Sequence, residues 1–178
     1  MAALTQATQP PYEHASRASR TQTFRIANTR RIYAGALCGL PGTNALTSNR
    51  GYLDRWQIAV GLQWAGIAEA QSWTGGLITA AQTGTAANVN SVLGDTTLTP
   101  IPEISVETGD VILKNVVVTG VSAQSDLWRT LIYCNTDNYE DLTTTAPNAP
   151  AIGKVLYWYS STRCDVWLFG MLRSSNIS

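Results

Sequence analysis

Few residues in this chain have the type and spacing that acid–base, nucleophilic or metal chemistry requires. His14 is the single histidine and lies close to Pro10 and Pro11. A Ser-His-Asp or Cys-His arrangement needs an imidazole held against its nucleophile, which a polar N-terminal segment does not provide. Cys38, Cys134 and Cys164 are far apart, with no C-x-x-C pair, so with one histidine they build no zinc site. Their odd number, and the apolar strand patterns around Cys134 and Cys164, predict reduced, buried thiols of a cytosolic setting. Asp137, Glu140 and Asp141 come nearest to a reactive group, since a glycosidase needs two acids and calcium needs hard oxygen ligands. Beside the Asn135-Thr136-Asp137-Asn138 turn, and without EF-hand spacing, they read as solvated turn acids. There is no G-x-S-x-G, no P-loop and no dinucleotide fingerprint, and Gly35, Gly39 and Gly42 are spaced as turn and bulge glycines. The expectation is a protein that is not an enzyme, with no catalytic residue, no cofactor and no metal.

Binding chemistry is better represented. Residues 1–31 hold Arg17, Arg20, Arg25, Arg30 and Arg31 against Glu13, a net charge of +4, so in a chain of formal net charge zero the remainder carries −4. Five arginines would neutralise about five phosphates, but there is no lysine run and only Tyr12 as a stacking ring, so nucleic acid is not the expected partner. Six tryptophans (Trp56, Trp64, Trp73, Trp128, Trp158 and Trp167) offer a sugar-stacking platform or, as the plainer reading, the large side chains of a β core or a subunit interface. Charged residues make up only 13% of the 178 and hydrophobic ones 44%. A surface so poor in charge points to a partner surface or self-association. The N-terminus has no apolar signal region, and nothing approaches the roughly 20 apolar residues of a membrane helix. A soluble, unexported protein is expected, and Asn176-Ile177-Ser178 is a chance match to the glycosylation pattern.

The elements that must position these groups read as strands. Ile104–Glu107 alternates, Thr108-Gly109-Asp110 turns, and Val111–Val118 continues in β-branched residues. Trp128–Cys134 is a third run, and Val155–Tyr159 with Cys164–Phe169 around Ser160–Arg163 is a hairpin candidate. In its second strand Cys164, Val166 and Leu168 should face one way and Asp165, Trp167 and Phe169 the other. Phe24–Ala27 reads as a first short strand, Arg30–Leu40 as a longer one interrupted by glycine, and Trp56, Ile58, Val60, Leu62 and Trp64 alternate as one strand. Residues 1–23 are too polar to offset the entropy of ordering, about 1–2 kcal/mol per residue, and read as a flexible basic arm. Residues 24–178 form the β-rich domain, with 77–102 as a long surface excursion carrying at most short strands. At this length one core is the default, and the predicted fold is mainly β, a single small β-barrel or β-sandwich with an extended N-terminal arm.

The strand Arg31-Ile32-Tyr33-Ala34-Gly35-Ala36-Leu37 resembles the K-I-Y-A-G-A-L opening of the structural cement, or decoration, proteins of tailed bacteriophage heads. Trp64-Ala65-Gly66-Ile67-Ala68 is similar to that family's F-A-G-V-A segment, and Val116–Val121 to its V-x-V-T-G-V strand. Ile152-Gly153-Lys154-Val155 with Cys164-Asp165-Val166-Trp167 resembles its closing hairpin. The matches keep their order over residues 31–169. Ser125-Asp126-Leu127-Trp128-Arg129 departs from the family's Ala-Asp-Val-Gly-Lys. The resemblance implies a non-enzymatic β domain on the capsid exterior of a virion, made in the host cytoplasm. It would bind the major capsid protein of a tailed phage and lock neighbouring subunits against DNA pressure, as a homo-oligomer without membrane contact. Arg17, Arg20, Arg25, Arg30 and Arg31 are then the candidate capsid-binding residues. The alternatives are a carbohydrate-binding β domain displayed on a virion, or another small virion subunit such as a head fibre or tail component.

Overall fold

A computed structural model describes residues 10–14, 20–41, 52–57, 62–69, 91–95, 97, 99, 101–122, 129–147 and 149–171. The strands are β1 (Tyr12–His14), β2 (Thr21–Arg25), β3 (Arg31–Tyr33), β4 (Leu37–Pro41), β5 (Asp54–Arg55), β6 (Leu62–Ala68), β7 (Ser91–Leu93), β8 (Glu103–Glu107), β9 (Val111–Thr119), β10 (Leu131–Cys134), β11 (Leu142–Thr143), β12 (Gly153–Ser160) and β13 (Arg163–Leu168). One turn of 3-10 helix, Tyr139–Asp141, precedes β11.

Strands β9, β11, β10, β12 and β13 close on one another, because β13 pairs back to β9, and form a five-stranded barrel. All its pairings are antiparallel except β11 to β9. The second sheet has the order β2-β8-β6-β4-β5, and β3 and β7 make a separate two-stranded ribbon. The mainly β, barrel expectation is met, and the barrel carries a second sheet as well.

The main core fills the barrel with Leu113, Val118, Ile132, Val155 and Val166, and takes in Leu37, Trp56, Trp64 and Ile67 from the second sheet. Two indoles tie the layers together. Trp56 Nε1 donates to the Cys134 carbonyl at 2.8 Å and Trp64 Nε1 to the Phe169 carbonyl at 2.6 Å. The other face of the second sheet packs a smaller core of Cys38, Ala65, Ile104 and Val106 with Ile32 and Val92 of the β3–β7 ribbon. That sheet is thus covered on both faces, which is why β4 and β6 read as nearly continuous apolar runs. Gly66, at φ 150°, sits where β6 crosses β8, and a Cβ there would strike the Glu107 carbonyl.

Several sequence expectations shift. The Arg30–Leu40 run divides into β3 and β4 at a turn through Gly35, which has φ 85°. In the alternating run from Trp56, residues 58–61 lie outside the described residues; Trp56 itself follows β5 outside any strand, and the described strand is Leu62–Ala68. The turn at Thr108–Asp110 joins two layers, since β8 goes to the second sheet and β9 to the barrel. The hairpin of β12 and β13 is present. Of the 77–102 segment, 77–90 lies outside the described residues, and Ser91–Leu93 pairs with β3.

The boundary at Phe24 is not a structural one. Tyr12–His14 pairs with Val111–Leu113, and Thr21–Arg25 pairs with Glu103–Glu107. A polar segment acquires these positions because two existing strand edges satisfy its backbone groups. Residues 1–9 and 15–19 lie outside the described residues.

Candidate binding face on the barrel wall

Asp165, in the middle of β13, stands opposite a bulge on each neighbouring strand. Towards β9, Cys164 pairs with Val116 and Val166 with Leu113, so Lys114 and Asn115 together face Asp165. Towards β12, Val155 pairs with Val166 and Tyr157 with Asp165, which leaves Leu156 as the extra residue. An extra residue reverses the inward and outward alternation of everything beyond it. In β9 the buried set therefore passes from Val111 and Leu113 to Val116 and Val118. In β12 it passes from Gly153 and Val155 to Trp158, which packs against the main core, and Tyr157 and Tyr159 turn outward.

Tyr157 is 54% exposed and Tyr159 48%, the only large hydrophobic side chains so exposed among the described residues. Their rings meet edge to face with centroids 4.8 Å apart and planes at 63°. Beside them the nearly buried Asp165 accepts the Asn115 backbone N–H at 2.8 Å through Oδ1 and the Lys114 ammonium at 3.2 Å through Oδ2. That hydrogen bond and charge raise the Lys114 pKa, with a further contribution from Glu13, whose carboxylate is 3.7 Å away. Desolvation, followed by a hydrogen bond to Asp165 and its charge, raises the Tyr159 hydroxyl above its ordinary value. Arg163 Nη1 donates to the Asn115 carbonyl at 2.8 Å. The result is a rigid patch of two phenol rings bordered by charges already paired with one another. Such a patch offers apolar contact and hydrogen bonding.

The arginines singled out from the sequence are placed differently. Arg17 lies outside the described residues. Arg20 has an exposed side chain, while its backbone N–H donates to Glu107 Oε1 at 3.0 Å. Arg25 approaches Glu103 at 3.6 Å across β2 and β8, Arg30 approaches Asp54 at 3.3 Å, and Arg31 donates to Ser91 Oγ at 3.0 Å across β3 and β7. Arg25, Arg30 and Arg31 therefore each engage a different element of the body, and Arg30 serves a carboxylate that is only 2% exposed.

The acid cluster is corrected in one member. Asp137 is not a solvated turn acid but is buried, with Arg55 at 3.9 Å from Oδ2 and its backbone carbonyl accepting Leu37 N–H at 2.9 Å. It lines a recess of about 80 Å³ with Arg55, Trp56, Gln57, Asn135 and Thr136, far below the volume of an ordinary ligand pocket. Glu140 is exposed at the 3-10 turn, which Asn138 caps by accepting the Glu140 N–H at 3.0 Å. No group of three or more His, Cys, Asp or Glu side chains suited to a metal occurs among the described residues.

All three cysteines are buried free thiols. Burial pushes Cys134 and Cys164 up to about 12, and it raises Cys38 further, helped by Asp137. Trp56 and Trp64 are core residues and Trp158 and Trp167 half-buried ones, whereas Trp73 and Trp128 lie outside the described residues. No helix among the described residues is long and apolar enough to cross a membrane.

Sequence reasoning missed Tyr157 and Tyr159. The available signal was a Tyr-Trp-Tyr triplet in a strand, but period two groups those tyrosines with Val155 on the inward face, and register shifts at Leu156 and at Tyr159 break that period. The chain matches no family model, no curated protein and no solved structure.

Proposed function

We propose that this chain is a non-catalytic structural protein of a tailed-phage virion. It binds the outer surface of the assembled head, bridges neighbouring major capsid subunits and stabilises the shell against internal DNA pressure. The observation that carries this reading is the Tyr157–Tyr159 pair, about half exposed on an otherwise well-covered barrel wall. Tyrosine rings held by a sheet lose little side-chain entropy when covered, which suits them to anchor an interface. The charge-poor composition supports the same reading, because little desolvation of ions opposes docking. The stretches that resemble the cement proteins fall in β3 and β4, β6, β9 and the β12–β13 hairpin, so the likeness lies in the strands that build the two cores.

Each copy would bury on the order of 1,200–2,000 Å² against the lattice. Spanning two subunits makes the second contact a local one at high effective concentration. The exposed tyrosines also favour one other reading, a carbohydrate-binding domain displayed on the virion, since phenol rings stack on sugars.

Co-sedimentation decides between them. Heads lacking the protein should take it up from solution and gain resistance to heat-induced DNA release. The Tyr157→Ser, Tyr159→Ser double variant should stay folded and bind at least about tenfold more weakly, the equivalent of about 1.4 kcal/mol. Full binding by the double variant would overturn the tyrosine pair as the docking face, and retention on a polysaccharide column without any binding to heads would overturn the head-binding reading.

A further inference from the structure

Residues 12–14 and 21–25 both pair antiparallel with the stretch 103–113, the first in the barrel and the second in the second sheet. Thr21 stands opposite Glu107, and Tyr12 stands opposite Leu113. Between His14 and Arg20 the N-terminal chain has five residues, whereas the other stretch has two between Thr108, bonded to Arg20, and Val111, opposite His14.

Strand β1 lies along an edge of β9 that the barrel does not use. β13 pairs along one side of β9, β11 takes Val118 and Thr119 on the other, and β1 covers Val111–Leu113. Its hold is made of separable contacts. The Lys114 N–H donates to the Pro11 carbonyl at 2.7 Å, the Tyr12 hydroxyl donates to Glu69 Oε1 at 2.9 Å, and Glu13 pairs with Lys114 at 3.7 Å. The groove and the strand that fits it belong to the same chain, so every one of these contacts is equally available from a second molecule.

We propose that this edge of β9 is a strand-accepting groove whose alternative occupant is residues 10–14 of a second copy of this chain, so that adjacent copies exchange N-terminal strands. In dilute solution the chain's own strand holds the groove, because a short tether gives it an effective concentration of about millimolar. Where copies are crowded at that density, exchange links them without a new interface, since the exchanged and unexchanged states make the same bonds. Five linking residues reach about 17 Å when extended, so the partner is an immediate neighbour. This goes beyond head binding and does not require a head.

The test uses full-length protein and two cysteine substitutions, Glu13→Cys and Ile112→Cys, at directly opposed positions of β1 and β9. Opposed Cα atoms in such a pair are about 5.5 Å apart, within disulfide range. The double variant oxidised in dilute solution should close an internal bridge. Mixed at high concentration and oxidised, mass-tagged single variants should give a mixed dimer at least about tenfold more abundant than Glu13→Cys mixed with Ser161→Cys. A mixed dimer no more abundant than that control overturns strand exchange, and an absent internal bridge in the double variant overturns it too. Because no capsid is present, failure here leaves the head-binding reading to be judged on its own experiment.

Discussion

The Asp165 carboxylate accepts the backbone N–H of Asn115 at 2.8 Å, and Asn115 holds φ 49°, a left-handed conformation. The two residues together stabilise the bulge of β9: asparagine tolerates that backbone shape, and the carboxylate satisfies the N–H that the bulge takes out of the ladder. Asn115→Gly should therefore change stability by less than about 0.5 kcal/mol, whereas Asn115→Val should cost at least about 1–2 kcal/mol. Chemical denaturation of the two variants checks this, and equal stabilities would show that the backbone there is not constrained.

Trp64→Phe removes the indole donor of the buried Phe169 carbonyl and should cost about 1–3 kcal/mol. Trp158 offers an internal contrast, since its indole N–H is buried and makes no hydrogen bond among the described residues. Trp158→Phe should then cost less than Trp64→Phe, the loss being confined to contact area. Thermal unfolding of both ranks them, and the reverse order would contradict the pairing of Trp64 with Phe169.

Alkaline pH should destabilise the protein through its thiols. Cys134 and Cys164 lie at about 12 when folded, against a reference of 9.0 for an exposed thiol. Below about pH 9 both states hold the proton and this contribution to stability is complete. Between about 9 and 12 the unfolded chain releases protons that the folded one keeps, so stability falls with rising pH. Replacing Cys134 and Cys164 with Ala should flatten that fall in denaturant midpoints measured from pH 8 to 11. A thiol reagent should label neither residue until the protein unfolds, and rapid native labelling would contradict their burial.

Removing residues 1–23 takes away β1 and the Thr21–Thr23 part of β2. The truncated chain should melt below the full-length protein, with the β9 edge uncovered. An unchanged transition would show that β1 adds nothing to the body.

The arginines divide by what they face. Arg30→Ala leaves Asp54, 2% exposed, without the guanidinium beside it and should destabilise the body by about 1–3 kcal/mol, less than a fully buried pair because Arg30 is partly exposed. Arg25→Ala breaks an exposed pair with Glu103 and should cost about 0–1 kcal/mol. Equal effects would mean that burial of the carboxylate does not set the difference.

The sequence alone determined the class of fold, most strands of the barrel and the state of the thiols. These follow from local rules: β-branched alternation from Ile104 to Leu168, turn residues at Thr108–Asp110 and Ser161–Thr162, and cysteines set among apolar neighbours. Only the tertiary structure decided which strands pair, that Thr108–Asp110 joins two sheets, and that the polar residues 12–14 complete a strand edge on β9. The tyrosine face belongs to the same category. Period two in the sequence places Tyr157 and Tyr159 with Val155, and register shifts at Leu156 and at Tyr159 break that period, because a register shift depends on the neighbouring strands and leaves no mark in the strand that carries it.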